Sequence, residues 1–342
     1  MNKHYEWELK QYQCLSLESK IRLTNERIKG WINEYDGNVY VSRSGGKDSD
    51  VLGDLVKKYD SSIPQVFVNT GLEWDSVRKH GLEVADEVLH PEMNFLQVIR
   101  KYGYPVWSKE VAQKVYTARR CPEGECARRF RKCEHNEKFP QYSMEQYSWL
   151  LDAPFLIGNE CCNIMKKKPT MRFEKERNVK PFIGTMADES RLRLQKWLQN
   201  GCNAFNIPRP RSAPLSFWTE QDILEYIYKN NLKIAEVYGD VVLDYETMGM
   251  IDGQVTLIEP KPIYKTTGAK RTGCVFCLFG ISQDTDKFLR LKELEPKKYN
   301  YVMNGGHFEN GLWMPDKNGL GYKFVIDWLN ENCPSGNLNI KY

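Results

Sequence analysis

The sequence has no apolar run near the ~18 residues that a membrane span requires. Its richest stretch, Trp149 to Gly158, is ten residues long. It also lacks a strong charge excess: 49 Lys and Arg stand against 45 Asp and Glu, a net +4. Any affinity for a polyanion must therefore come from local patches and not from the bulk field. The opening MNKHYEWELKQYQ has neither an apolar core nor a small-residue cleavage site, so a signal peptide is not expected. Internal repeats and low-complexity tracts are missing too. What is present is ordinary globular material: 342 residues, 41% hydrophobic and 27% charged, enough to bury a core. Ten cysteines without a secretory signal point to reduced thiols in a cytoplasmic protein, where metal binding or chemistry is expected before disulfides.

Apolar positions at helical spacing (Leu17, Ile21, Ile28, Ile32) predict an amphipathic helix over 15–35, broken by Asp36-Gly37. Strands are expected at Asn38–Arg43, Gln65–Asn69, Glu87–His90 and Lys180–Gly184. Helices are expected after Ser49, from about Asp75, over Asp188–Leu198 and over Thr219–Asn230. Strands alternating with helices predict an α/β fold, a parallel twisted sheet with helices on both faces. The expected organisation is a helical segment at 1–35, a nucleotide-binding α/β domain at 36–200 and an α-rich C-terminal region at 201–342. A basic, cysteine-rich insertion at 103–178 interrupts the α/β domain.

The strand at 38–43 runs into Ser44-Gly45-Gly46-Lys47-Asp48-Ser49 and then into a helical pattern. Two glycines let the backbone turn tightly and aim its amides at an anion, and the helix start adds unsatisfied N–H groups and a positive dipole end. Ser44 and Ser49 offer hydroxyl donors and Lys47 a charge. The spacing is not that of a Walker A loop, in which four residues separate the first glycine from Gly-Lys.

The hexapeptide resembles the PP-loop of the adenine nucleotide alpha-hydrolase-like ATP pyrophosphatases. Three further stretches narrow the resemblance to the phosphoadenosine phosphosulfate (PAPS) reductase family. Phe67-Val-Asn-Thr-Gly71 with Glu73 resembles its D-T-G-x-E element, with Asn69 in place of Asp. Gly184 to Arg191 resembles its G-x-R-x-x-E-S-x-R segment, with Met186 where Arg is common. Pro214-Leu215-x-x-Trp218-Thr219-x-x-Asp222-Ile223 resembles its P-L-x-x-W-T-x-x-D-V element. The ordered set covers about residues 30–290. It implies that Ser44–Ser49 and Gly184 hold phosphates of ATP or an adenylyl sulfate, that Asn69, Thr70 and Gly71 lie beside the nucleotide, and that Arg191 reaches a substrate anion. Lys47, Asp48 and Arg191 are then the catalytic candidates, with Asp48 placing Mg2+; a solvated helix face is the plainer reading for Arg191 and Arg193.

Cys161-Cys162 and Cys274-x-x-Cys277 form a second constellation. A Cys-x-x-Cys turn presents two thiolates together, as in zinc and iron–sulfur sites. Adjacent cysteines diverge, which suits a multi-iron cluster better than one zinc ion. The arrangement resembles that of iron–sulfur adenylyl sulfate reductases, which implies a 4Fe-4S cluster on these four residues; zinc and unliganded thiols are the alternatives. Cys121, Cys126, Cys133 and His135 have spacings poor for a zinc finger, and incidental thiols in a basic surface insertion is the plainer reading. Basic residues within 119–132, and Lys166–Lys168, suit either nucleic-acid backbone or a solvated face.

Two enzyme readings follow from the resemblance. One is ATP-dependent activation and sulfur transfer, with a donor protein for sulfur or electrons, favoured by the unaltered loop. The other is reduction of an adenylyl sulfate, in which family members use a cysteine in a tail E-C-G-I/L-H element. That element is absent, and Cys333 is the only tail cysteine. A nucleotide- or nucleic-acid-binding module without turnover is a third reading.

Overall fold

The computed structural model describes residues 3–251, 254–334, 336 and 338–342, and leaves out the side chains of 134–135 and 248–258. The chain divides into two compact units: Met1–Leu89 with Thr170–Thr272, and His90–Pro169 with Gly273–Tyr342.

In the first unit, Val39, Tyr40 and Val41 are all buried, so the strand Val39–Arg43 is covered on both faces and sits centrally in its sheet. The sheet order is Glu87–Leu89, Gln65–Val68, Val39–Arg43, Lys180–Ile183, Arg211–Ser212, Asn203–Ala204. All neighbours are parallel except the last pair. Val41 pairs with Gln65 on one side and Phe182 on the other. The chain builds outward through three strands and then returns to the opposite side of the first. The order therefore reverses beside Val39–Arg43, the position where open α/β sheets bind ligands at their carboxyl ends.

The expected α/β fold, with its helical C-terminal region, is what the structure has. The first amphipathic pattern forms the helix Leu17–Glu34, with Ser16 as cap. Its inner face packs with Lys47–Tyr59 and Glu220–Asn230 around Ile28, Trp31, Leu52, Phe182 and Ile223. The Trp-Thr-x-x-Asp element closes this layer. Thr219 caps Glu220–Asn230 in a reciprocal box with Asp222, and Asp222 pairs with buried Lys20 at 2.7 Å. Trp218 Nε1 donates to buried Thr24 Oγ1 at 2.9 Å. The helix expected from Asp188 begins at Arg191 because Ala187–Glu189 form a 3-10 turn and Ser190 is the cap. A long antiparallel hairpin, Val241–Ile251 with Gln254–Thr266, was not foreseen. Exposed Val242 and Tyr245 show why: strands open to solvent need no clean alternation.

The second unit is built on aromatic packing. Tyr104 sits edge-on against Phe155 and Tyr322, and Trp149 stacks on Trp328. Its C-terminal helices are Lys287–Leu294, Pro296–Met303 and Tyr322–Asn332. Among the described residues no helix is long and apolar enough to cross a membrane.

Candidate functional site

The glycine loop is held by its own hydroxyls. Ser44 N–H donates to Ser49 Oγ (3.1 Å), Ser49 Oγ donates to the Gly46 carbonyl (2.8 Å), and Gly46 N–H reaches Ser44 Oγ (3.3 Å). Gly45 has φ +71°, and a Cβ there would lie 2.6 Å from the Val77 carbonyl oxygen. Gly46 is the N-cap of Lys47–Tyr59, so the loop presents the helix start with no side chain in the way. Gly184, at the end of the neighbouring strand, lets the two segments meet: its Cβ would stand 3.0 Å from the Asp48 carbonyl oxygen and from Ser49 Cα.

Lys47 is buried, and its Nζ donates to Glu220 Oε1 (2.6 Å) and the Lys270 carbonyl (2.8 Å). Asp48 Oδ1 is buried with no hydrogen-bond partner among the described residues. Burial pushes its carboxyl above the usual carboxylate range, and the nearby Lys47, Arg193 and Arg271 charges oppose that rise. Arg193 also pairs with Glu189, in the 3-10 turn just before its helix. Arg191 instead is exposed at the first helical position, so Arg193 is the arginine of this segment that faces the loop. Asn69 Oδ1 accepts from Arg78 Nε (2.9 Å), and Thr70 Oγ1 donates to Glu73 (2.6 Å). Gly71 has φ +73° and open space around it.

Beneath the loop lies a buried charge network. Arg43 Nη2 meets Asp50 Oδ1 at 2.5 Å, and His80 Nε2 stands 3.1 Å from Asp50 Oδ2. Gly53 makes room for it, since a Cβ there would fall 1.6 Å from Arg43 Nη1. Glu220, Arg193, Arg271 and the Lys270 carbonyl complete the setting of the loop. No local spacing signals Glu220, Arg271 or Lys270, because folding brings them from far along the chain.

In the second unit, Cys161 and Cys162 begin the turn that runs into Asn163–Lys167, and Cys277 N–H closes a tight turn on the Cys274 carbonyl (3.1 Å). The Cys161 thiol hydrogen-bonds Cys162. This raises Cys161 and lowers Cys162, whose thiolate is further favoured by Lys109 and Lys166. Cys161 also senses the charges of Cys277 and Cys274, and Cys277 that of Cys162, so the four sulfurs share one electrostatic neighbourhood. Lys287 Nζ donates to the Cys274 (2.8 Å) and Cys277 (2.7 Å) carbonyls. None of the four is in a disulfide. Among the described residues no three His, Cys, Asp or Glu side chains are grouped as a single metal ion requires. Four soft thiols with cations beside them are a donor set that either an iron–sulfur cluster or a zinc ion takes.

Cys126 and Cys133 each point their thiols at backbone carbonyls, of Lys114 and Arg128, and the His135 side chain lies outside the described residues. In the basic stretch, Arg119 is occupied internally: its guanidinium donates to the Leu150, Leu151, Ala153 and Phe155 carbonyls. Arg129 pairs with Glu125, and Arg131 donates to the Pro122 carbonyl.

Residues 38–277 match the family model described as phosphoadenosine phosphosulfate reductase domain. No curated protein matches the chain. Among solved structures it is similar to a phosphoadenylyl-sulfate (PAPS) reductase from Candida auris in a phosphate complex, at 15% identity and TM-score 0.36, covering 68% of this chain and 91% of that one. An FMN adenylyltransferase from Candida glabrata follows at 14% and 0.37, covering 67% and 64%. A U34-tRNA thiolase from Methanococcus maripaludis with its 4Fe-4S cluster is similar at 17% and 0.33, covering 64% and 67%.

Proposed function

Because the chain belongs to the phosphoadenosine phosphosulfate reductase domain family, we propose that it binds ATP on Ser44–Ser49 and activates an acceptor as its adenylate, from which a sulfide-level sulfur of the donor displaces AMP as the acceptor–oxygen bond breaks. The observation that carries this reading is the loop itself. It joins a glycine-lined helix start to three surrounding cations, Lys47, Arg193 and Arg271, and to a buried carboxylate oxygen of Asp48 that lacks a partner. A polyphosphate supplies the anion those cations suit, and Mg2+ bound to it supplies the cation Asp48 suits. Adenylation breaks the α–β phosphate linkage as an acceptor oxygen bonds to the α-phosphorus, and pyrophosphate leaves. The loop amides and Lys47 offset the charge gathering on that leaving group. Gly45 and Gly46 keep the approach open, and Asn69–Gly71 border it.

Cys161, Cys162, Cys274 and Cys277 would hold a 4Fe-4S cluster, which supplies a point for binding or handing on sulfur, or an electron. Lys109, Lys166 and Lys287 offset thiolate charge there. A donor protein for that sulfur or electron belongs to this reading. Against a tail thiol attacking an adenylyl sulfate stands Cys333, which is buried at the end of Tyr322–Asn332.

The test is anaerobic turnover by iron- and sulfide-loaded protein offered ATP and the two adenylyl sulfates in parallel. Pyrophosphate release from ATP is the expected result. Sulfite release without ATP cleavage would replace this reading with a reductase, and binding with no turnover of any of the three would leave a nucleotide-binding module.

A further inference from the structure

The basic stretch at 119–132 carries six Arg or Lys against two Glu, and neither site above uses it. Two of the six are spent inside the fold: Arg119 grips four carbonyls, and Arg129 takes Glu125. The other four, Arg120, Arg128, Arg131 and Lys132, are exposed. Arg120 meets the Tyr116 hydroxyl and ring, and Arg131 the Pro122 carbonyl, all of them neutral groups. The Arg128 and Lys132 side chains have no partner among the described residues.

The fold gathers these charges instead of letting them spread. Phe130 is buried between them and anchors the turn. Buried Asn136 donates from Nδ2 to the Arg129 (3.0 Å) and Arg131 (2.8 Å) carbonyls, which knots the basic residues into one tight loop. Arg131 Nη2, 3.0 Å from the Pro122 carbonyl, brings that loop back to the end of the helix Lys109–Arg120. Like charges held together repel one another, a cost that an anion arriving from outside removes.

Aromatic rings stand beside the cations. The Tyr142 ring lies 5.7 Å from the Arg129 guanidinium and is 53% exposed, and Phe139 is 44% exposed. The Met144 N–H, on the Arg129 carbonyl at 2.8 Å, ties this segment to the basic loop. Half-bare rings next to unpaired cations match an extended nucleic-acid strand, whose phosphates take the cations while an unpaired base stacks on a ring. A duplex keeps its bases inside, whereas RNA loops and ends present theirs to aromatic and guanidinium planes. An acidic protein would meet the cations and leave the rings without a role.

We propose that this face docks single-stranded RNA, with phosphates on Arg120, Arg128, Arg131 and Lys132 and a base stacked on Tyr142. The inference stands on the second unit alone and does not depend on what the glycine loop binds.

Fluorescence anisotropy tests it, with a labelled mixed-sequence RNA of about 15 nucleotides titrated with the full chain at several salt concentrations. Arg128→Gln with Lys132→Gln is expected to weaken binding at least tenfold, and to flatten the slope of log affinity against log salt by about 0.7 per contact removed. Tyr142→Ala is expected to weaken binding about fivefold or more with the slope unchanged. Lys317→Gln, which removes an exposed charge elsewhere in the same unit, should leave binding within about twofold. The proposal is overturned if the wild type does not bind the RNA, if the double variant or Tyr142→Ala binds as well as the wild type, or if Lys317→Gln loses as much as the double variant. A DNA duplex of the same length that binds as tightly as the RNA overturns it as well. Polyglutamate that displaces the label as effectively as unlabelled RNA at equal charge also overturns it, and assigns the face to an acidic protein.

Discussion

Lys47 Nζ and Glu220 Oε1 lie 2.6 Å apart, so the lysine of the phosphate loop is already held by a carboxylate. Glu220 is half-exposed while Lys47 is nearly buried, so on the reading proposed above a phosphate that reaches Lys47 meets a carboxylate already there. The ion pair is thus a competitor for the ligand. Glu220→Gln removes the competing charge and keeps a side chain of the same shape. It should tighten ATP binding by about three- to tenfold, on the order of 1 kcal/mol. Calorimetry at fixed ionic strength checks this, and unchanged or weaker binding would show that Glu220 supports the ligand instead of opposing it.

Asp48 gives a pH dependence whose sign follows from its burial. Its carboxyl is raised in the folded protein, so the fold takes up a proton more readily than the unfolded chain does. Its contribution to stability is therefore greater at acidic pH, and is lost as pH rises through the folded value. Asp48→Asn cannot titrate. The melting-temperature difference, variant minus wild type, should grow more positive as pH rises from the acid range toward neutrality. A difference flat with pH would show that Asp48 is not desolvated in the folded protein.

Much of this was readable from residue order because the signals are local. The central strands are short apolar runs ending in glycine turns, and Thr219 announces a helix start through its reciprocal pairing with Asp222. The loop at 44–49 needed only its two glycines and two flanking serines. What escaped depends on long-range packing. Glu220 meets Lys47 from 173 residues away, and Arg271 reaches Asp48 from farther still. Choosing between Arg191 and Arg193 required knowing that the helix starts after Ser190, which turns the first arginine to solvent and the second to the loop. The hairpin strands were hidden for a different reason, since none of the described side chains at 241–247 and 259–266 is fully buried, and a half-exposed pair imposes no pattern.

The cysteines separate into sets that one measurement can tell apart. Cys161, Cys162, Cys274 and Cys277 lie in mutual electrostatic reach, whereas Cys126 and Cys133 point at carbonyls. Serine at any of the first four should lower bound iron and acid-labile sulfide severalfold after anaerobic purification. Serine at Cys121, Cys126 or Cys133 should leave both unchanged. Stoichiometric zinc in the wild type would reject the iron–sulfur assignment, and iron loss in the second set would extend the ligand field to the insertion.

The pair of Lys20 and Asp222 ties the helix Leu17–Glu34 to the capped start of Glu220–Asn230. Their side chains are only 2% and 10% exposed. Lys20 Nζ touches both oxygens of Asp222 and the Gln13 carbonyl, so its three donors are all used. Removing the cation alone leaves a buried carboxylate that still receives the Thr219 N–H (2.6 Å) but has lost its counter-charge. Breaking one side of such a pair costs about 3–5 kcal/mol, so Lys20→Met should lower the denaturant midpoint sharply. Lys20→Met with Asp222→Asn removes the stranded charge while keeping a capping acceptor, and should recover part of that loss. Urea unfolding of both proteins decides the matter. If the double variant is no more stable than the single one, the loss comes from packing around Lys20 and not from the unpaired charge.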